Sequence, residues 1–112
     1  MAKFCNLFLD KGADLSVVVQ LIGINRQPID ISDMSFACMA KFMMKESVKV
    51  NINCVIEDAR TGYLRLYLPY HITEKMPVGD WLYDIEMTDK ANRRTRVLQG
   101  KLAVNDETTV SW

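Results

Sequence analysis

The chain has 112 residues, 49% of them hydrophobic and 25% charged, with a formal net charge of zero. That is length and apolar content enough for one domain with its own core, and it sets aside disordered and fibrous classes. Balanced charge gives no long-range pull toward nucleic acid or an anionic membrane, and no apolar run reaches the ~20 residues of a membrane-spanning helix. The opening run Met1–Asp10 carries a single basic residue and too short an apolar core for a secretory signal. Synthesis in a cytoplasm, followed by assembly into something larger, is therefore expected.

Period-two alternation, broken at short intervals by turn residues, predicts about seven short strands and no helix longer than one turn. The first covers residues 3–10 and ends in the turn Lys11-Gly12-Ala13. The second, 14–22, sets Leu15, Val17, Val19 and Leu21 against Ser16, Val18 and Gln20. Pro28 keeps strand out of the loop 23–28, and a short extended piece, Ile29-Asp30-Ile31, leads to the turn Ser32-Asp33. The third strand is 35–44, where Met and Ala would suit a helix but the alternation favours strand, and the fourth is 48–57. Gly62 closes the next turn with the positive φ that glycine tolerates. The fifth strand, 63–68, stops at Pro69, and one helical turn is expected within 70–75. After Pro77 and Gly79 the sixth strand, 80–89, alternates Trp81, Tyr83, Ile85 and Met87 with Leu82, Asp84, Glu86 and Thr88. The seventh is 95–104. The expected architecture is an all-β, two-sheet antiparallel sandwich over 1–104 with a C-terminal tail over 105–112. Trp81 and Tyr83 should pack between the sheets with Leu64, Leu66 and Leu98.

Little in the sequence supports catalysis. Cys5, Cys38 and Cys54 are widely spaced, without a CxxC pair, and each falls on the apolar parity of its strand. They read as reduced, buried hydrophobes, with Cys38–Cys54 the first suspects if a bridge formed. His71 is the lone histidine, so neither a zinc set nor a nucleophile–base pair is in view. Asp84 and Glu86 fall on the wet face of their strand, the glycines are scattered, and no phosphate or calcium loop is present. The expectation is a non-enzyme with no catalytic residue, no cofactor, no metal and no small-molecule ligand. The basic cluster Asn92-Arg93-Arg94-Thr95-Arg96 reads as a solvated hairpin tip.

Contact residues are better signposted. Leu64, Leu66 and Leu68 take the core side of their strand, which turns Tyr63, Arg65 and Tyr67 outward, and Tyr and Arg are typical of protein contact surfaces. The strand 35–44 is apolar on both faces, with Met39 and Met43 opposite Phe36 and Phe42. A half-buried strand needs one dry face, so the second wants cover from a loop or a neighbouring subunit. Trp112 ends a polar leash, Asn105 to Thr109, and offers a large apolar anchor, either to its own domain or to a neighbour. The candidate protein-interaction residues are thus Met39, Met43, Tyr63, Arg65, Tyr67 and Trp112.

The turn and aromatic signatures, taken in order, carry a resemblance. They are Leu7-Phe8-Leu9-Asp10-Lys11-Gly12, then Asn25-Arg26-Gln27-Pro28-Ile29-Asp30-Ile31-Ser32-Asp33, then Thr61-Gly62-Tyr63-Leu64-Arg65-Leu66. The closing pair is Pro77-Val78-Gly79-Asp80-Trp81-Leu82-Tyr83-Asp84-Ile85-Glu86 and Arg96-Val97-Leu98-Gln99-Gly100-Lys101-Leu102-Ala103-Val104. The sequence resembles the small immunoglobulin-like structural domains of tailed bacteriophages, such as the domain that opens siphophage baseplate upper proteins. Two departures stand out: Arg26 occupies a loop position that is usually glycine, and Val78 separates Pro77 from Gly79.

The resemblance implies an immunoglobulin-like sandwich and a non-enzymatic virion part in tail, baseplate, neck or capsid surface. Its partners would be other virion proteins and copies of itself in a symmetric assembly, with neither nucleic acid nor membrane involved. A different class of reading, a carbohydrate- or receptor-binding module on the same scaffold, would call for exposed aromatics clustered in loops.

Overall fold

The computed structural model describes residues 3–106. In chain order the elements are β1 (Lys3–Phe4), β2 (Leu7–Asp10), β3 (Leu15–Gln20), β4 (Ser35–Phe42), β5 (Lys49–Asp58), β6 (Tyr63–Leu68), α1 (Tyr70–Thr73), β7 (Gly79–Thr88) and β8 (Arg94–Asn105). The all-β class is as expected, and so are the strand positions, except that the expected first strand divides at Cys5 and Asn6.

The sheet layout differs from the expected sandwich in two respects. First, the strands form one continuous path, β1-β8-β7-β4-β5-β6-β3, with β2 also against β8, curled like a half-barrel, in which β5 is shared by the two flanks. The hinge of this curl is β5. Its first part, Lys49–Ile52, pairs with β4, while Asn53–Asp58 pairs with β6 on the opposite flank. A strand used on one flank and then the other offsets the two halves, and strand twist rolls one over the other. Second, the sheet is mixed: β1 and β2 run parallel to β8. Alternation shows which face a residue takes and is silent on strand direction.

The break between β1 and β2 has a local cause. The Cys5 N–H donates to the Gln99 carbonyl oxygen (2.9 Å), and the Lys101 N–H donates to Asn6 Oδ1 (3.1 Å), so a side chain completes the ladder where the backbone swings away. Gly100 lies beneath this crossing. A Cβ there would stand 2.0 Å from the Cys5 carbonyl oxygen, so only glycine lets the two backbones approach. In the loop before β4, Arg26 adopts φ 62°, the left-handed conformation that glycine at that position accommodates freely.

Inward residues of both halves meet in one core. Trp81, Leu64 and Leu66 are fully buried, and Tyr83 and Leu98 pack in the same cluster, as the alternation indicated. The Trp81 indole N–H donates to the Pro77 carbonyl oxygen (3.1 Å), and its ring lies 5.2 Å from that of Phe42. The Tyr83 hydroxyl donates to the Cys5 carbonyl oxygen (2.5 Å), tying the centre of β7 to the β1–β2 crossing.

Candidate assembly surface

β6 lies between β3 and β5, and its alternation sends Leu64, Leu66 and Leu68 inward and Tyr63, Arg65 and Tyr67 outward. Register then sets the neighbours of each outward side chain. Arg65 lies between Val18 and Val55, Tyr67 between Ser16 and Asn53, and Tyr63 between Gln20 and Asp58. Val18, Val55 and Tyr63 are 43%, 51% and 38% exposed, an aliphatic and aromatic patch centred on one arginine. Arg65 is held in place: its Nε donates to the Glu57 carboxylate and an Nη to Ser16 Oγ. Such a surface pair adds little stability, but it fixes the direction of the guanidinium and cancels its charge.

The outer face of the other half is built differently. There Lys101 pairs with Asp80 (3.4 Å) and Arg96 with Asp84 (3.3 Å) across β8 and β7. Asp84, Arg96 and Lys101 line, with Leu82, Met39 and Phe4, an open groove of about 810 Å³. The structure thus brings Tyr63, Arg65 and Tyr67 together and leaves Met39 on a different face. Met43 lies in the turn after β4, its N–H donating to the Asp80 carbonyl oxygen (3.0 Å). Trp112 falls outside the described residues. Sequence reasoning missed Val18 and Val55 as part of the patch, because strand pairing, which alternation does not reveal, sets them beside Arg65.

The neighbouring Cys54 thiol and burial push the Cys38 thiol up, away from thiolate chemistry near neutral pH. Cys5, Cys38 and Cys54 are all free thiols in the structure. Among the described residues no group of three His, Cys, Asp or Glu could hold a metal ion, and no helix is long and apolar enough to cross a membrane. In the basic cluster Arg93 pairs with Asp89 and Arg96 with Asp84. Backbone N–H groups of Arg93 and Ala91 also bond Asp89, holding its carboxyl below the usual carboxylate range and pinning the β7–β8 hairpin tip.

No protein-family model matches the chain, and no curated protein matches it. The fold itself has a counterpart among solved structures, a small phage β domain. The N-terminal domain of phage TP901-1 ORF48 matches with a TM-score of 0.61 at 14% sequence identity, over 90% of this chain and 85% of that one. At that identity the likeness is one of fold. It bears out, at that level, the resemblance to phage virion domains drawn from the turn and aromatic signatures.

Proposed function

We propose that this chain is a non-enzymatic structural part of a phage virion, in tail, baseplate, neck or capsid surface, acting through contacts with other virion proteins and with copies of itself. The observation that carries the reading is the fold shared with a domain of a phage baseplate protein. In this reading residues 1–104 are the domain and 105–112 an arm, and the protein is made in the host cytoplasm before it enters the particle. The patch of Tyr63, Arg65, Tyr67, Val18 and Val55 is the docking surface, because it combines half-exposed apolar area with a charge already neutralised by Glu57. The carbohydrate-binding alternative is the less favoured, since Trp81 and Tyr83 lie in the core and not in loops.

Mass spectrometry of purified particles should find the chain at a fixed ratio to the other virion proteins, and its absence from intact particles would overturn the reading. Val55→Asp sets a carboxylate beside Arg65 on an exposed strand position. That variant should melt like the parent and fail to enter particles.

A further inference from the structure

Among the described residues the curled sheet ends in two free edges, and they are guarded unequally. One edge is formed by β1 and β2 together, strands of two and four residues interrupted at Cys5 and Asn6, the second ending in Asp10, followed by Lys11. Shortness and charge are the usual protections of a sheet edge. The other edge strand, β3, is the six-residue run Leu15-Ser16-Val17-Val18-Val19-Gln20, with no charge and no proline. It pairs with β6 along its whole length and with no other strand among the described residues.

Ladder parity shows what this edge presents. The Leu21 N–H donates to the Gly62 carbonyl oxygen (2.8 Å), continuing the register in which Val19 faces Leu64 and Val17 faces Leu66. Antiparallel pairs alternate between hydrogen-bonded and non-bonded. The odd-numbered residues of β3 therefore spend their backbone groups on β6, and Ser16, Val18 and Gln20 turn theirs to the open side. Those three residues also carry their side chains on the outer face, next to Tyr67, Arg65 and Tyr63.

We propose that β3 pairs antiparallel with the β3 of a second copy about a two-fold axis at Val18. Val18 then faces Val18 of the other copy, and Ser16 faces Gln20 in both directions. Every outward N–H meets a carbonyl, no charge meets a like charge, and the interface is isologous. The outer patches of two copies become one surface across the joined edge. A foreign strand would also satisfy the backbone, but the uncharged sequence symmetric about Val18 favours a second copy of this chain. The pairing rests on the reading of the chain as an assembly part. It is tested on purified full-length protein, whereas that reading is tested on particle composition, so each can fail alone.

Three variants decide it. Val18→Glu sets a carboxylate opposite Arg65 within the copy, which the fold accommodates, and opposite its own twin across the two-fold, which pairing does not. Val18→Cys places two thiols in a hydrogen-bonded pair with Cα atoms about 5.5 Å apart, inside the range a disulfide spans. Ser16→Cys lies opposite Gln20 instead of itself. On mild oxidation Val18→Cys should give a dimer linked through residue 18, located by peptide mass mapping, and Ser16→Cys should not. Sedimentation should show concentration-dependent dimers for the parent and a monomer of unchanged melting curve for Val18→Glu. Equal linking of the two cysteine variants, linking of neither, or a parent dimer that survives Val18→Glu overturns the proposal.

Discussion

β7 and β8 on one side of the molecule, and β3 and β6 on the other, send their inward residues into one core, yet they face the solvent in different ways. On β7 and β8 the exterior is a run of acids and bases paired across strands, Asp80 with Lys101 and Asp84 with Arg96. On β3 and β6 it is valine and tyrosine around an arginine already satisfied by Glu57. The first exterior sets its one half-exposed β7 leucine, Leu82, among those paired charges. The second keeps aliphatic area half-exposed, a state that association relieves. One hydrophobic interior is therefore compatible with two unrelated exteriors, one built on charge pairs across strands and the other on valine and tyrosine around a single neutralised arginine.

The comparison breaks first at the shared core. Trp81 is fully buried in the cluster that both halves share, so Trp81→Ala should cost about 3–5 kcal/mol, a large part of the stability of a small domain. Chemical denaturation would register this as a shift of the entire transition. A melting curve like the parent's would mean that the two halves do not depend on a common core.

Gly100→Ala should separate the halves. Its Cβ would collide with the Cys5 backbone, costing about 3 kcal/mol by forcing β1 and β2 away from β8. The damage lies on the charged side, so hydrogen exchange should quicken at the Cys5 and Leu9 amides while the β3–β6 ladder keeps its protection. Uniform acceleration across both halves would instead show one cooperative unit. Tyr83→Phe probes the same crossing more gently. Removing the hydroxyl leaves the Cys5 carbonyl oxygen without that donor and should cost about 1 kcal/mol, with exchange at β1 the more sensitive readout.

These three sites differ in how far the sequence exposed them. Leu64, Leu66, Leu68, Trp81 and Tyr83 were legible because each follows a strict period of two, and parity alone assigns the buried face. The patch was half legible: Tyr63, Arg65 and Tyr67 share a strand, but their neighbours Val18 and Val55 come from elsewhere in the chain. The parallel pairing of β1 and β2 with β8 was not legible, nor was the change of partner along β5. Both are long-range choices that leave the local pattern unaltered. Gly100 stood only as one of several scattered glycines, and its role, a close approach by the Cys5 backbone, depends on that same hidden pairing.

The smallest effect gives the most direct contrast between the exteriors. Asp84 and Arg96 form an exposed pair, so a double-mutant cycle to alanine should return no more than about 1 kcal/mol at low salt and less at high salt. The equivalent cycle on Val18 and Val55, which flank Arg65 on either side, should show no salt dependence, because neither side chain carries a charge to be screened. In the monomer both values are near the limit of measurement. In the assembled state they should diverge: the Asp84–Arg96 cycle should stay where it is, and the valine variants should lose association while folding is preserved. If the Asp84 and Arg96 variants weaken association instead, the docking face is the charged exterior of β7 and β8 and the roles of the two halves are reversed.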